Sequence, residues 1–299
     1  MAEIAIVGVG AIGGVMASAF LSRPGHCLTL CARQAFNRLI VTAAWRGAPA
    51  IRQHQVRVFT DPDADLAGAR PVRWVILATK AHQTEGAAAW LDRLCRPETT
   101  VAVVQNGVEH VERVAPLIGQ ARVLPAIVDC PATRTGPGHV TYDRPATLTL
   151  PDSQDGRAFS ALLEDAGIAS QVVADFVTAA WQKLCVNTIS GSIPALCDQP
   201  RGVFRRPAIA ELARQLIDEC IAVGRAEGAE LDDAIAETVI ESMQTGPPDA
   251  LTSMLVDRRA GRLLEADARN GAVARIGARH GIATPLNRAV ATILCAINT

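Results

Sequence analysis

Residues 4–21 read IAIVGVGAIGGVMASAFL, a run without one charged side chain. Length alone would make it a membrane-span candidate. Four glycines interrupt it and no basic segment precedes it, which argues against a span or a secretory signal. The run resolves instead into a buried strand from Ile4 to Val7, a glycine turn, and a buried helix from about Gly13. A parallel strand covered on both faces is apolar throughout rather than alternating. The turn Gly8-Val9-Gly10-Ala11-Ile12-Gly13 has the spacing G-x-G-x-x-G, and it follows a strand and opens a helix, the context this pattern needs. Gly8 permits the tight turn, Gly10 lets the backbone approach a pyrophosphate, and Gly13 lets the helix pack against the strand. Ala11 and Ile12 lie within the same loop. The helix N-terminus offers unpaired N–H groups and a positive dipole end to phosphates. A dinucleotide-binding domain is the expectation.

The second strand, Leu28 to Cys31, ends in Cys31-Ala32-Arg33-Gln34, with Arg38 nearby. An NAD site places an acid at the end of this strand, on the ribose hydroxyls. No Asp or Glu occurs from Ile4 through Thr60. Arg33 can therefore pair with a 2′-phosphate with no neighbouring carboxylate to compete. The expected cofactor is NADP(H); the plain alternative is a solvated loop arginine. Further strands are expected at 56–59, 74–78, 100–104 and 123–128, with helices near 83–95 and 108–117 between them. Alternating strands and helices predict an α/β fold with a Rossmann-type doubly wound parallel sheet. Ligands in such sheets sit beyond the carboxyl ends of the strands, where Lys80, Asn106 and Ala132 fall. Segments 139–142 and 146–150 suggest a hairpin closing the sheet.

From about Asp175 the periodicity becomes helical, with candidate helices at 175–190, 207–227, 232–244, 262–279 and 286–297. The expected domains are 1–172, NADP-binding, and 173–299, an all-helical domain for substrate and catalysis. Two of the 29 basic residues are lysine, Lys80 and Lys183. Lysine loses a proton readily when buried, as a proton donor near neutral pH must, and arginine does not. Lys183 and Asn187 are four apart on one helical face, with Gly191 a turn further. Two residues of this half have a bland alternative: Ser253 as a helix cap, and Glu265, between Arg262 and Arg269 at helical spacing, as a surface ion-pair member.

Acidic and basic residues balance at 30 and 29, and aromatics make up 4%. That excludes a broadly basic nucleic-acid or membrane binder and gives no base-stacking platform. The eight cysteines form no C-x-x-C pair, so no metal site is expected. Reduced, mostly buried thiols suggest a cytoplasmic protein.

The motifs together resemble the ketopantoate reductase (2-dehydropantoate 2-reductase) family: GVGAIG at 8–13, ATKAHQT at 78–84, QNG at 105–107, WQKLCVN at 181–187, TSM at 252–254, Glu265 with Asn270-Gly271, and HGIATP at 280–285. The resemblance implies NADPH-dependent reduction of a 2-oxo acid in pantothenate synthesis. By the same resemblance, Lys183 matches the proton donor and Glu265 its acidic partner. Lys80, Asn106, Ala132 and Glu265 match cofactor contacts, and Asn106, Lys183, Asn187 and Ser253 match substrate contacts. Gly191, Ala250 and Arg201 stand where the resemblance implies further asparagines. Three readings follow: a ketopantoate reductase, a reductase of another 2-oxo acid, and a non-catalytic NADP(H)-binding sensor. The apolar helical half would suit a homodimer interface or an internal core equally.

Overall fold

The structure, a computed structural model, describes residues 2–44, 49–65 and 72–297. Its contacts divide the chain into two compact units. One comprises Met1–Gln105 with His110–Phe176, and the other comprises Asn106–Glu109 with Val177–Thr299. The sequence reading placed a single boundary at 172/173.

The strands of the first unit, among the described residues, begin with β1 (Ala2–Val7), β2 (His26–Cys31), β3 (Arg38–Ala43), β4 (Ala50–Gln55), β5 (Val58–Phe59), β6 (Trp74–Leu77), β7 (Thr100–Val103) and β8 (Arg122–Pro125). They continue with β9 (Ile127–Asp129), β10 (Ala132–Gly136), β11 (His139–Tyr142), β12 (Thr147–Pro151) and β13 (Ala169–Val173). The helices are α1 (Ala11–Leu21), α2 (Pro62–Asp65), α3 (Ala88–Leu94), α4 (His110–Val114) and α5 (Gln154–Asp165). The central sheet runs β5-β2-β1-β6-β7-β8, with each neighbouring pair parallel. Ile4 and Ile6 face a core that includes Met16 and Phe20 of α1 and Phe159 of α5. Ala5 and Val7 face the opposite core, with Trp90 and Leu91 of α3 and Val114 of α4. Both faces of β1 are thus dry, which is why its sequence never alternates.

The structure corrects several details. Segments 139–142 and 146–150 do not form a hairpin. β11 pairs with β10 and β3 in a four-stranded sheet, while β12 pairs with β13 and β9 in another. The expected strand 123–128 is two strands in two sheets, β8 and β9. The helix expected over 83–95 begins with two short 3₁₀ turns and becomes α-helical only at Ala88. The pair β3–β4 precedes β5 and was missed, although β3 alternates Leu39, Val41 and Ala43 onto the core. Four of the eight cysteines are buried, rather than most of them, and all eight are free.

The second unit is helical: α6 (Phe176–Ser190), α7 (Ser192–Cys197), α8 (Pro207–Ala226), α9 (Ala234–Thr245), α10 (Ser253–Arg259), α11 (Ala272–Arg279) and α12 (Pro285–Ile297). Pro207 opens α8, where a missing N–H costs nothing. Trp181, Leu184 and Cys185 of α6 share a core with Leu216, Ile217 and Cys220 of α8. A Cβ at Gly224 would stand 3.0 Å from the Trp181 ring and 2.7 Å from Leu231, so glycine sets how closely α8 packs there. Among the described residues, no helix is long and apolar enough to cross a membrane. The helix expected over 262–279 starts later: 262–265 is irregular, Asp267–Gly271 is a π-helical turn, and α11 follows.

Candidate active site

In the first unit the loop between β1 and α1 is shaped by its glycines. Gly8 has φ +97°, and a Cβ there would lie 2.7 Å from the Thr79 nitrogen. A Cβ at Gly13 would collide with the Gly8 carbonyl oxygen. A Cβ at Gly10 would meet nothing within 4 Å. Two glycines are thus required by the protein's own packing, while the third leaves backbone open to a ligand. No acid lies in the first turn of α1 to oppose an anion. Arg33 is exposed beyond the end of β2 and pairs with no carboxylate among the described residues. These features fit a dinucleotide with a 2′-phosphate.

Lys80 lies three residues beyond β6, half-buried and extended, as the residue preceding a 3₁₀ turn. The loop that carries it is tied to the end of β7. Gln105, 4% exposed, donates from Nε2 to Thr79 Oγ1 at 2.9 Å and Thr84 Oγ1 at 3.1 Å. Its carbonyl oxygen lies 3.0 Å from His110 Nε2. Ala132 opens β10 of the four-stranded sheet, so it does not directly follow a strand of the central sheet as expected. Near it, burial first and Asp129 second push the Cys130 thiol up to about 12. That thiol is protonated at neutral pH and is no nucleophile.

In the second unit, Lys183 is half-buried on α6, with Asn187 one turn on and 7% exposed. Asn187 Nδ2 donates to Asn106 Oδ1 at 3.4 Å. Asn106 Nδ2 in turn donates to Glu265 Oε2 at 3.1 Å. Glu265 is 4% exposed, so the surface ion-pair alternative is wrong. Its partner is Arg269, whose Nη2 is 3.3 Å from the same oxygen. Arg262 turns away to Asp257. Arg269 Nη2 also lies 3.5 Å from Ser253 Oγ. Thr252, not Ser253, holds the cap position of α10; Ser253 is the first helical residue and exposed. The structure thus joins Asn106, Asn187, Glu265 and Ser253 through one polar network, with Lys183 on the helix that carries Asn187.

Several supporting residues were given no role in the sequence reading. Gly107 has φ +115°, and a Cβ there would stand 2.9 Å from the Ala268 carbonyl oxygen. This close approach sets Asn106 beside the π-helical turn. Glu109, 7% exposed, clamps the same segment through Arg275, at 2.7 Å and 3.0 Å. The hydrogen bond to Glu109, above all, pushes the Arg275 pKa up. Asn270 Nδ2 donates to the Thr188 carbonyl on α6 and to Asn287 Oδ1 on α12. Arg201, which the resemblance placed at the substrate, instead bonds the Met243 and Ser242 carbonyls at the end of α9. The Gly107 signal was legible, since glycine after a polar pair marks a tight turn. The remaining contacts span long sequence separations and carry no local signal.

A parallel dinucleotide unit with an acid-free β2, joined in one chain to a helical unit with an amide–carboxylate–guanidinium network, fits an NADP-dependent oxidoreductase acting on a CH–OH group. Residues 4–155 match the family described as ketopantoate reductase PanE/ApbA, and 175–298 match its C-terminal family. The 2-dehydropantoate 2-reductase of Caulobacter vibrioides is 42% identical over 294 residues, covering 98% of each chain. That of Mycobacterium tuberculosis is 41% identical over 293 residues, covering 98% of this chain and 97% of its own. The dimeric ketopantoate reductase from Staphylococcus aureus superposes with a TM-score of 0.85 at 26% identity, covering 99% of this chain and 98% of its own. The chain belongs to the ketopantoate reductase family.

Proposed function

We propose that the chain reduces 2-dehydropantoate to pantoate with NADPH. The observation that carries the reading is the polar network Asn187–Asn106–Glu265–Arg269–Ser253, whose Asn187 shares a helix face with Lys183. Gly8, Gly10, Ala11, Ile12 and Gly13 hold the pyrophosphate through backbone N–H groups. Arg33 takes the 2′-phosphate, and Lys80 and Ala132 make further nucleotide contacts. When bound, NADPH supplies the hydride for the substrate's C2. Lys183 donates its proton to the carbonyl oxygen as negative charge develops there, leaving a 2-hydroxy acid and a neutral amine that is reprotonated from water. Glu265 is the acidic partner that the family resemblance assigns to this lysine. It also fixes the Asn106 amide, whose remaining N–H orients the substrate oxygen. Asn187 and Ser253 hold the rest of the substrate.

The test is consumption of NADPH by the purified protein with 2-dehydropantoate and a panel of other 2-oxo acids, with NADH in parallel. Rapid turnover of 2-dehydropantoate and little of the others supports the reading. A second reading, another 2-oxo acid as substrate, draws on Gly191 and on Arg201, which is engaged by α9 carbonyls and offers no amide. Preference for a less polar 2-oxo acid would favour it. NADPH binding with no turnover across the panel would favour a sensor. As parts of the same proposal, the chain works in the reducing cytoplasm, a reading that its eight free cysteines support. Likeness to the dimeric Staphylococcus aureus enzyme suggests a homodimer, checked by sedimentation.

A further inference from the structure

We propose that Arg269 is a specificity-determining residue whose guanidinium, seated over Gly191, takes the carboxylate of the 2-oxo acid. The inference rests on the reductase reading above. Arg269 is 3% exposed, and a guanidinium that deep is costly unless its donors are matched. Nη2 reaches Glu265 at 3.3 Å and Ser253 at 3.5 Å, both long for charge-assisted bonds. Glu265 Oε2 is shared with Asn106. Arg269 Nε is fully buried and meets no acceptor among the described residues. The protein therefore holds a planar cation in place while leaving part of its fork unmatched. The complementary shape is a carboxylate, which accepts two parallel N–H bonds.

Position 191 supports the same conclusion. A Cβ on Gly191 would stand 2.5 Å from Arg269 Nη1 and 3.3 Å from Met254 Cε. Gly191 N bonds the Asn187 carbonyl, so residues 183, 187 and 191 continue on one helical face. The missing side chain at 191 is not lost polarity: the guanidinium occupies that space. An anionic substrate group fills the Arg269 donors that Glu265 leaves unmatched, whereas a neutral ligand offers them a weaker acceptor. A site of that kind rejects a ligand lacking the matched group by leaving its own buried donors unpaired.

The test measures kcat and KM for the preferred 2-oxo acid, its methyl ester and its primary amide, at saturating NADPH. The wild-type enzyme should prefer the acid strongly. R269M should raise KM for the acid roughly 10- to 100-fold, the worth of a charged hydrogen bond, and the ester's KM far less. The acid-to-ester ratio therefore collapses. R269K, keeping charge without the fork, should fall between them. G191A, which crowds Nη1 without touching the arginine, should reproduce part of the loss. G191A/R269M should be no worse than R269M alone, because both act through one group. If R269M does not fold, G191A still reads the ratio. Equal loss of acid and ester in R269M and in G191A would mark Arg269 as mere support for Glu265 and overturn the inference, with the reductase reading intact. A wild-type enzyme that reduces no 2-oxo acid would overturn both.

Discussion

In the first unit the loop after β1 works by what it lacks. Side chains at Gly8 and Gly13 would strike the protein's own backbone, and Gly10 faces open space. In the second unit the site works by what it gathers. Asn106, Asn187, Ser253, Glu265 and Arg269 meet in a polar network, buried at Asn187, Glu265 and Arg269, assembled from four separate parts of the chain. The first arrangement is robust to side-chain changes that spare the glycines, and it grips a group common to all NADP(H). In the second, Asn187, Glu265 and Arg269 are desolvated and each member holds the next, so a single change leaves a buried partner unmatched. Cofactor grip and chemistry should therefore fail separately.

The largest expected effect tests that separation. Lys183→Ala removes the proposed proton donor and should lower kcat by roughly 10²- to 10⁴-fold. NADPH affinity, followed by its fluorescence, should stay within about 3-fold of wild type, less than one ordinary hydrogen bond is worth. An equal fall in NADPH affinity would break the comparison. Arg33→Ala should act on the opposite side. NADPH binding should weaken about 10- to 100-fold through lost charged hydrogen bonds, while NADH binding and kcat at saturating cofactor hold. Loss of NADH binding as well would mean that Arg33 serves the loop rather than the 2′-phosphate. Gly13→Ala places a methyl group against the Gly8 carbonyl, where backbone must move. It should destabilise the fold by about 1–3 kcal/mol in thermal melts and weaken NADPH binding in parallel. Unchanged stability would show that the glycine serves only the ligand.

The same contrast explains what the sequence disclosed. The glycine loop, the dry strands β1, β6 and β7, and α6 and α8 were legible because their signals are local: spacing, apolar runs and helical period. The Arg33 proposal could be drawn from sequence because it needs only the absence of acids along one stretch. The second and third sheets were not. β3 pairs with β11, and β9 with β12, and nothing in a strand's own pattern names a partner of distant sequence. The site of the second unit was legible only in pieces. Asn106 and Glu265 are 159 positions apart, and the Arg269 donors that reach Glu265 and Ser253 come from a π-helical turn where regular helix was expected. The space beside Gly191 was not legible for the same reason: it is Arg269, 78 positions away, that a Cβ there would meet at 2.5 Å.

The smallest expected effect probes whether the first unit is held by backbone alone. His54 on β4 places Nε2 3.0 Å from the hydroxyl of Ser18, a buried residue of α1, the helix the glycine loop opens. Burial first, and the Arg52 charge second, hold the His54 pKa below its ordinary 6.5. The folded chain therefore binds this proton less readily than the unfolded chain. The contribution to stability is whole above about 6.5 and is lost as pH falls through that value toward the folded-state pKa. His54→Gln cannot titrate, so its melting temperature should fall less steeply than wild type between about pH 7 and 5.5, the range where histidine changes charge. Added salt should flatten the wild-type slope slightly by screening Arg52. An identical slope in the variant would remove His54 from the account. A weakened NADPH affinity in the same variant would sharpen the comparison differently, since the loop's backbone would then depend on a side-chain contact behind α1.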